Sequence, residues 1–131
     1  MKRAAVLSLI MSIMLSGLSL NAQEQPMATD SVLRHIVLFS FKPDTSPEAL
    51  KRVETAFANL QDKIPEIKGF EWGLNNSPEG LNKGFTHCYT LTFSSEADLA
   101  VYLPHPDHKA FGTILAPYLK DVLVVDYWAM E

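Results

Sequence analysis

The sequence predicts an α+β domain in which a four-stranded antiparallel sheet carries helices on one face. Short runs dense in β-branched and aromatic residues read as strands. Between them lie one capped stretch with apolar residues at helical spacing and a second, shorter stretch broken by prolines. The strands at the two ends of the domain are apolar in both alternating sets, so each must find cover on both sides.

The first strand is "LRHIVLFSFK", whose alternating sets are His35, Val37, Phe39, Phe41 and Ile36, Leu38, Ser40. Ser46 is placed to cap the next helix, and Pro47 suits its first position. Leu50, Val53, Phe57, Leu60 and Ile64 then recur at steps of three and four, one apolar stripe that Pro65 ends. "IKGFEWGLNNS" gives the second strand and runs into the turn-rich "NNSPEGLNKG". "FTHCYTLTF" alternates strictly, with Phe85, His87, Tyr89, Leu91 and Phe93 on one side. Ser94 or Ser95 caps a short helix bearing Leu99, Tyr102 and Leu103, and a second short helix carries Phe111, Ile114 and Leu115. "DVLVVDYWAM" closes the domain, offering Val122, Val124 and Trp128 one way and Leu123, Val125 and Tyr127 the other. The order strand, helix, strand, strand, helix, strand is the ferredoxin-like βαββαβ pattern. Its second sheet face has nothing in its own chain to cover it. At ~25 cal/mol per Å² of apolar area, leaving that face wet forfeits several kcal/mol. The expectation is therefore a homodimer whose sheets face each other.

Ahead of the domain, Lys2 and Arg3 precede an apolar run from Ala4 to Leu15 and then small and polar residues. This is the layout of a cleavable signal peptide over residues 1–22, with a polar arm over 23–31 and the domain over 32–131. The apolar core is short for a membrane span, so no stable anchor is expected after cleavage, and the destination is secreted or periplasmic. The net charge of −4 speaks against nucleic acid, which calls for a basic face. Cys88 is the only cysteine, so no internal disulfide can form.

The chemistry-bearing residues gather at "VYLPHPDHKAF". Pro104 and Pro106 prevent one continuous helix, so a corner is expected, with His105 as cap and Pro106 as first residue of the next helix. His108 then falls in the first turn, where the positive end of the helix dipole disfavours imidazolium and leaves the ring able to accept a proton. Tyr102 on the preceding helix can donate to a developing enolate oxygen. Tyr102 and His108 are thus the candidate catalytic pair. His35 and His87 sit near the starts of the first and third strands and share faces with Phe39 and Phe41, and with Phe85 and Tyr89. Both are expected to face the dimer cavity or to brace the sheet. His35, His87, His105, Phe39, Tyr89 and Phe111 are the candidate ligand-binding wall. The bland reading of the same residues is a packed tyrosine and a histidine cap that ties two segments together. His105 and His108 are not spaced as a helical ligand pair and have no cysteine or carboxylate cluster beside them, so neither metal nor cofactor is expected.

"LRHIVLFSFK", "PEIKGFEWGLNNSPEGLNKGFTHCYTLTF" and "DLAVYLPHPDHKAFG" resemble, in order, segments of the stress-responsive dimeric A/B barrel family, with "GFTH" and Y-x-x-H-P-x-H as the most specific parts. The resemblance spans Val32 to Trp128 and implies a dimer of ferredoxin-like units, a dimeric α/β barrel. A plant polyketide cyclase of that family closes a ring by aldol chemistry, and its tyrosine and histidine match Tyr102 and His108. Residues and resemblance together point to an exported homodimer binding a small apolar or aromatic molecule, with cofactor-free acid–base chemistry. The alternative is a non-catalytic envelope protein in which hinge and histidines are structural. A cofactor-independent monooxygenase ranks last.

Overall fold

A computed structural model describes residues 31–130. The expected signal segment lies outside them, as does the arm up to its last residue. The elements run β1 (Leu33–Phe41), α1 (Pro47–Ala58), α2 (Leu60–Lys63), β2 (Gly69–Leu74), β3 (His87–Phe93), α3 (Glu96–Tyr102), α4 (Pro106–Leu115) and β4 (Leu119–Trp128). The sheet order is β2-β3-β1-β4 with every neighbour antiparallel, the ferredoxin-like topology expected from the order of segments. Among the described residues, no helix is long and apolar enough to cross a membrane.

The Ser46 side chain accepts from the Ala49 backbone N–H at 3.1 Å, and Pro47 is the first helical residue. The expected single helix is two, because the chain breaks at Asn59, whose N–H reaches back to Thr55 at 3.0 Å. The apolar stripe survives the break, with Val53, Phe57, Leu60 and Ile64 all buried. At its start the buried residue is Ala49, while Leu50 is only half-buried. In α4, Phe111 and Leu115 are buried one turn apart and Ile114 turns outward.

The core fills the space between sheet and helices. Leu33, Val37 and Phe39 of β1 and Tyr89, Leu91 and Phe93 of β3 meet Val53, Phe57, Tyr102, Phe111 and Leu115. Phe57 is its hub, with ring centres 4.4 Å from both Tyr89 and Phe111 and 5.7 Å from Phe39. The other sheet face is open. Edge strand β4 lies beyond the helices, so its apolar side chains stand out on both faces: Val122, Leu123, Val124, Val125 and Tyr127 are 44–48% exposed. The two-sided composition of β4 therefore marks an uncovered edge.

Candidate functional site

Backbone register decides which side of the sheet each candidate occupies. Leu33, His35, Val37 and Phe39 alternate onto the helix side of β1, and His87, Tyr89, Leu91 and Phe93 onto the same side of β3. His35, His87, Phe39 and Tyr89 are therefore on the helix side. This corrects the expectation that the histidines look into a chamber between two sheets. Antiparallel pairing also separates them: His35 lies opposite Leu91, and His87 opposite Phe39. The starts of two antiparallel strands are at opposite ends, so the two histidines cannot brace each other.

Each has an acid of its own. His35 Nδ1 lies 2.5 Å from Asp126 Oδ1, its cross-strand partner on β4. A carboxylate accepts, so Nδ1 carries the hydrogen. His87 Nε2 is 3.1 Å from Glu54 Oε1 on α1, and its Nδ1 is 2.8 Å from the Thr86 hydroxyl. Trp72 stacks on His87, centres 6.1 Å apart and planes within 4°, and on Tyr89 at 5.4 Å. Asp126, Glu54, Thr86 and Trp72 were not among the residues singled out as binding. Asp126 had a sequence signal, as an acid that interrupts the apolar run from Val122 to Trp128. Glu54 had none, since it stands beside the apolar stripe among other polar residues of α1.

The hinge forms as its prolines require. α3 stops at Tyr102, and Pro106 opens α4 with His105 as its cap, whose Nδ1 accepts from the Asp107 N–H at 3.1 Å. His105 thus spends one ring nitrogen on the backbone. His108 Nδ1 lies 2.8 Å from the Leu103 carbonyl, spanning the corner. A carbonyl oxygen only accepts, so Nδ1 holds a hydrogen, and in the neutral ring Nε2 is the basic atom.

The Tyr102 ring packs 4.3 Å from His108 and 5.7 Å from His35. Tyr102 is wholly buried, and its hydroxyl has no hydrogen-bond partner among the described residues. The same is true of Tyr89, 5.3 Å from Phe39 and 6.0 Å from Phe70. Burying a hydroxyl without a partner costs roughly 1–3 kcal/mol. Two such groups on one side of one sheet, Tyr89 against Phe39 and Phe57 and Tyr102 against Phe93 and His108, are the strongest chemical anomaly of the fold. Burial pushes both phenols above the ordinary tyrosine value, and at Tyr89 the Glu54 carboxylate adds to the effect. Both therefore stand as O–H donors.

A separate groove of about 500 Å³ lies at the β2–β3 end, lined by Leu38, Gly73, Phe85, Thr86, His87 and Cys88 among others. It borders His87 but not Tyr102 or His108. Among the described residues no group of three or more His, Cys, Asp or Glu side chains is placed to hold a metal ion.

Residues 33–129 match the model of the stress-responsive A/B barrel domain. The stress-response A/B barrel domain-containing protein HS1 of Arabidopsis thaliana is 41% identical over 95 residues, 72% of this chain and 87% of that protein. Olivetolic acid cyclase of Cannabis sativa is 26% identical over 95 residues, covering 72% and 94% of the two chains. Among solved structures, a hydroxynitrile lyase from Passiflora edulis superposes with a TM-score of 0.72 at 31% identity, covering 76% of this chain and 94% of its own. A dimeric protein of ferredoxin-like fold from Bacteroides fragilis gives 0.62 at 31% identity, with 75% and 96% covered.

The two phenols give the fold an alkaline limit. Folding raises their pKa, so the native state holds these protons more tightly than the unfolded chain does. That contribution is fully present below the unfolded value of 10.0 and is lost as pH rises beyond it. Urea midpoints measured between about pH 9 and about pH 11 are expected to fall, and to fall less in Tyr102→Phe. Equal slopes in the two proteins would show that the Tyr102 proton is not held by the fold.

Proposed function

This chain belongs to the stress-responsive A/B barrel domain family, and from that premise we propose an exported homodimer that binds a small apolar or aromatic carbonyl compound at the corner between α3 and α4 and moves a proton on it without a cofactor. One observation carries the chemical part: His108, with Nε2 as its basic atom, packs its ring 4.3 Å from that of Tyr102, whose hydroxyl has no partner among the described residues. In the proposed step, His108 Nε2 takes the proton from a carbon next to the carbonyl. The electron pair moves onto the carbonyl oxygen, where the Tyr102 O–H stabilises it. His35, held by Asp126, supports the Tyr102 ring, and His105 shapes the corner. The cyclase and the lyase among the relatives support catalysis in this fold.

A second reading is a non-catalytic stress-response protein. It is favoured by the fact that each of the four histidines already has a hydrogen-bond partner within the chain. Turnover separates the two. Enolisable ketones and short β-polyketide thioesters are expected to react, and His108→Ala to slow them roughly 100-fold or more while the protein stays folded. If wild type and variant behave alike across the panel, the histidine is not a base and the second reading stands.

Dimer formation is supported by the dimeric relatives and by the exposed apolar side chains of β4 and the open sheet face. Sedimentation at micromolar concentration should give two subunits, and Val125→Asp, an exposed site, should give one. A wild-type monomer would remove the dimer. Export rests on the charge and apolar pattern of residues 1–22. Protein recovered outside the cytoplasm should begin at Gln23 by N-terminal sequencing, and an intact Met1 would refute cleavage.

A further inference from the structure

Thr86, His87 and Glu54 form a hydrogen-bonded series that the proton transfer at the corner does not use. Glu54 Oε1 lies 3.1 Å from His87 Nε2, and a carboxylate only accepts, so Nε2 carries the hydrogen. In the neutral ring Nδ1 is then the bare nitrogen, and it accepts from the Thr86 hydroxyl at 2.8 Å. His87 is buried and Glu54 largely shielded, with side chains 4% and 16% exposed, while Thr86 is exposed. Trp72 covers one face of the imidazole, its plane within 4° of the ring. A hydroxyl, a base in bonding reach of it and an acid that orients the base are the parts of an acyl-transfer site.

These parts meet a cavity. Thr86 and His87 both line the groove of about 500 Å³ at the β2–β3 end, whose apolar walls include Leu38, Trp72, Leu74 and Phe85. A space of that size holds a small organic molecule. Asn75 also lines it, and its backbone N–H donates to the Thr86 carbonyl at 2.8 Å. That bond continues the register of Leu74 opposite His87 and sets Asn75 across from Thr86. Asn75 Oδ1 accepts from the Ser77 N–H at 3.2 Å, which leaves the side-chain NH2 to donate.

We propose that this groove is a second reaction centre, in which Thr86 attacks neutral carboxylic esters of small apolar acids. The Thr86 oxygen bonds to the acyl carbon as its proton passes to His87 Nδ1. The carbonyl electron pair moves onto its own oxygen, to which the Asn75 amide donates. When that pair returns, the bond to the alcohol oxygen breaks, and the departing oxygen takes the proton from His87. Water, giving a proton to the same nitrogen, then releases the acid and restores the threonine. Glu54 is a positioning residue: it holds Nε2–H and favours the imidazolium as it forms. Glu71 is among the lining residues, so a phosphate ester meets like charge and a neutral ester does not.

The full chain is assayed with para-nitrophenyl benzoate. This ester has no hydrogen on the carbon beside its carbonyl, so the proton transfer proposed at the corner cannot consume it. Release of nitrophenolate is expected to run about 100-fold faster than with free imidazole at the same concentration. Thr86→Val should lose that advantage and Thr86→Ser should keep it, and thermal unfolding verifies both at this exposed position. Glu54→Gln should lower kcat about tenfold with KM unchanged, since Glu54 is not among the groove-lining residues. Acid quenching during turnover, followed by peptide mass mapping, should find the benzoyl group on Thr86. Turnover no faster than imidazole, equal rates in wild type and Thr86→Val, or benzoyl on Cys88, on a lysine or on no residue would overturn the assignment. None of those outcomes touches the reading of Tyr102 and His108.

Discussion

Proline has no backbone N–H to donate, and the corner that Pro104 and Pro106 impose between α3 and α4 sets the positions of Tyr102, His105 and His108 relative to one another. A continuous helix would carry Tyr102 and His108 six residues apart on diverging faces. The break folds α4 back so that the two rings lie 4.3 Å apart. It also frees the Leu103 carbonyl from a helical partner, and His108 takes it up at 2.8 Å. One bond thus satisfies a stray acceptor, fixes a ring and selects its basic nitrogen. The corner is a structural necessity that also sets the geometry of the proposed acid–base pair.

The two faces of the sheet divide the remaining roles. The helix side holds the aromatic core, the His35–Asp126 and His87–Glu54 pairs and the two phenols that have no partner among the described residues. The open side holds Cys88 and the small polar Thr90 and Thr92, flanked by the apolar outward residues of β1 and β4. The proposed chemistry and the proposed association would therefore lie on opposite sides of one sheet. A subunit interface on the open side would leave the helix-side site intact, and each protomer would carry a complete set of candidate residues.

Much of this could be read from residues. The cap at Ser46 and Pro47, the stripe through Val53 and Phe57, the strict alternation of β3 and the His105 cap all depend on local rules, and each appears where those rules put it. The facing of the histidines did not emerge the same way. Alternation shows that His35 shares a side with Phe39, yet it cannot say which side the helices cover, because β1 is apolar in both directions. The break at Asn59 was hidden for a related reason, since the apolar spacing runs through it unbroken. The partners Asp126 and Glu54 depend on cross-strand register and on how α1 sits over β3, which are tertiary facts. The orphaned hydroxyls of Tyr89 and Tyr102 are invisible to any pattern, because a missing partner is a property of three-dimensional surroundings.

The greasy symmetry of β4 has one more result. A strand that is polar on one side cannot slide by one residue, since that would turn its apolar set toward water. In β4 a slide exchanges Val124 for Val125 and Val122 for Leu123, so hydrophobicity scarcely notices. What does notice is the acid: shifted by one position, Asp126 would leave His35 without its acceptor and the carboxylate would point to the opposite surface. The bulge at Ser40 and Phe41 anchors the far end. Alignment of the edge strand thus draws on the His35–Asp126 hydrogen bond at one end and the bulge at the other, where its apolar pattern supplies little.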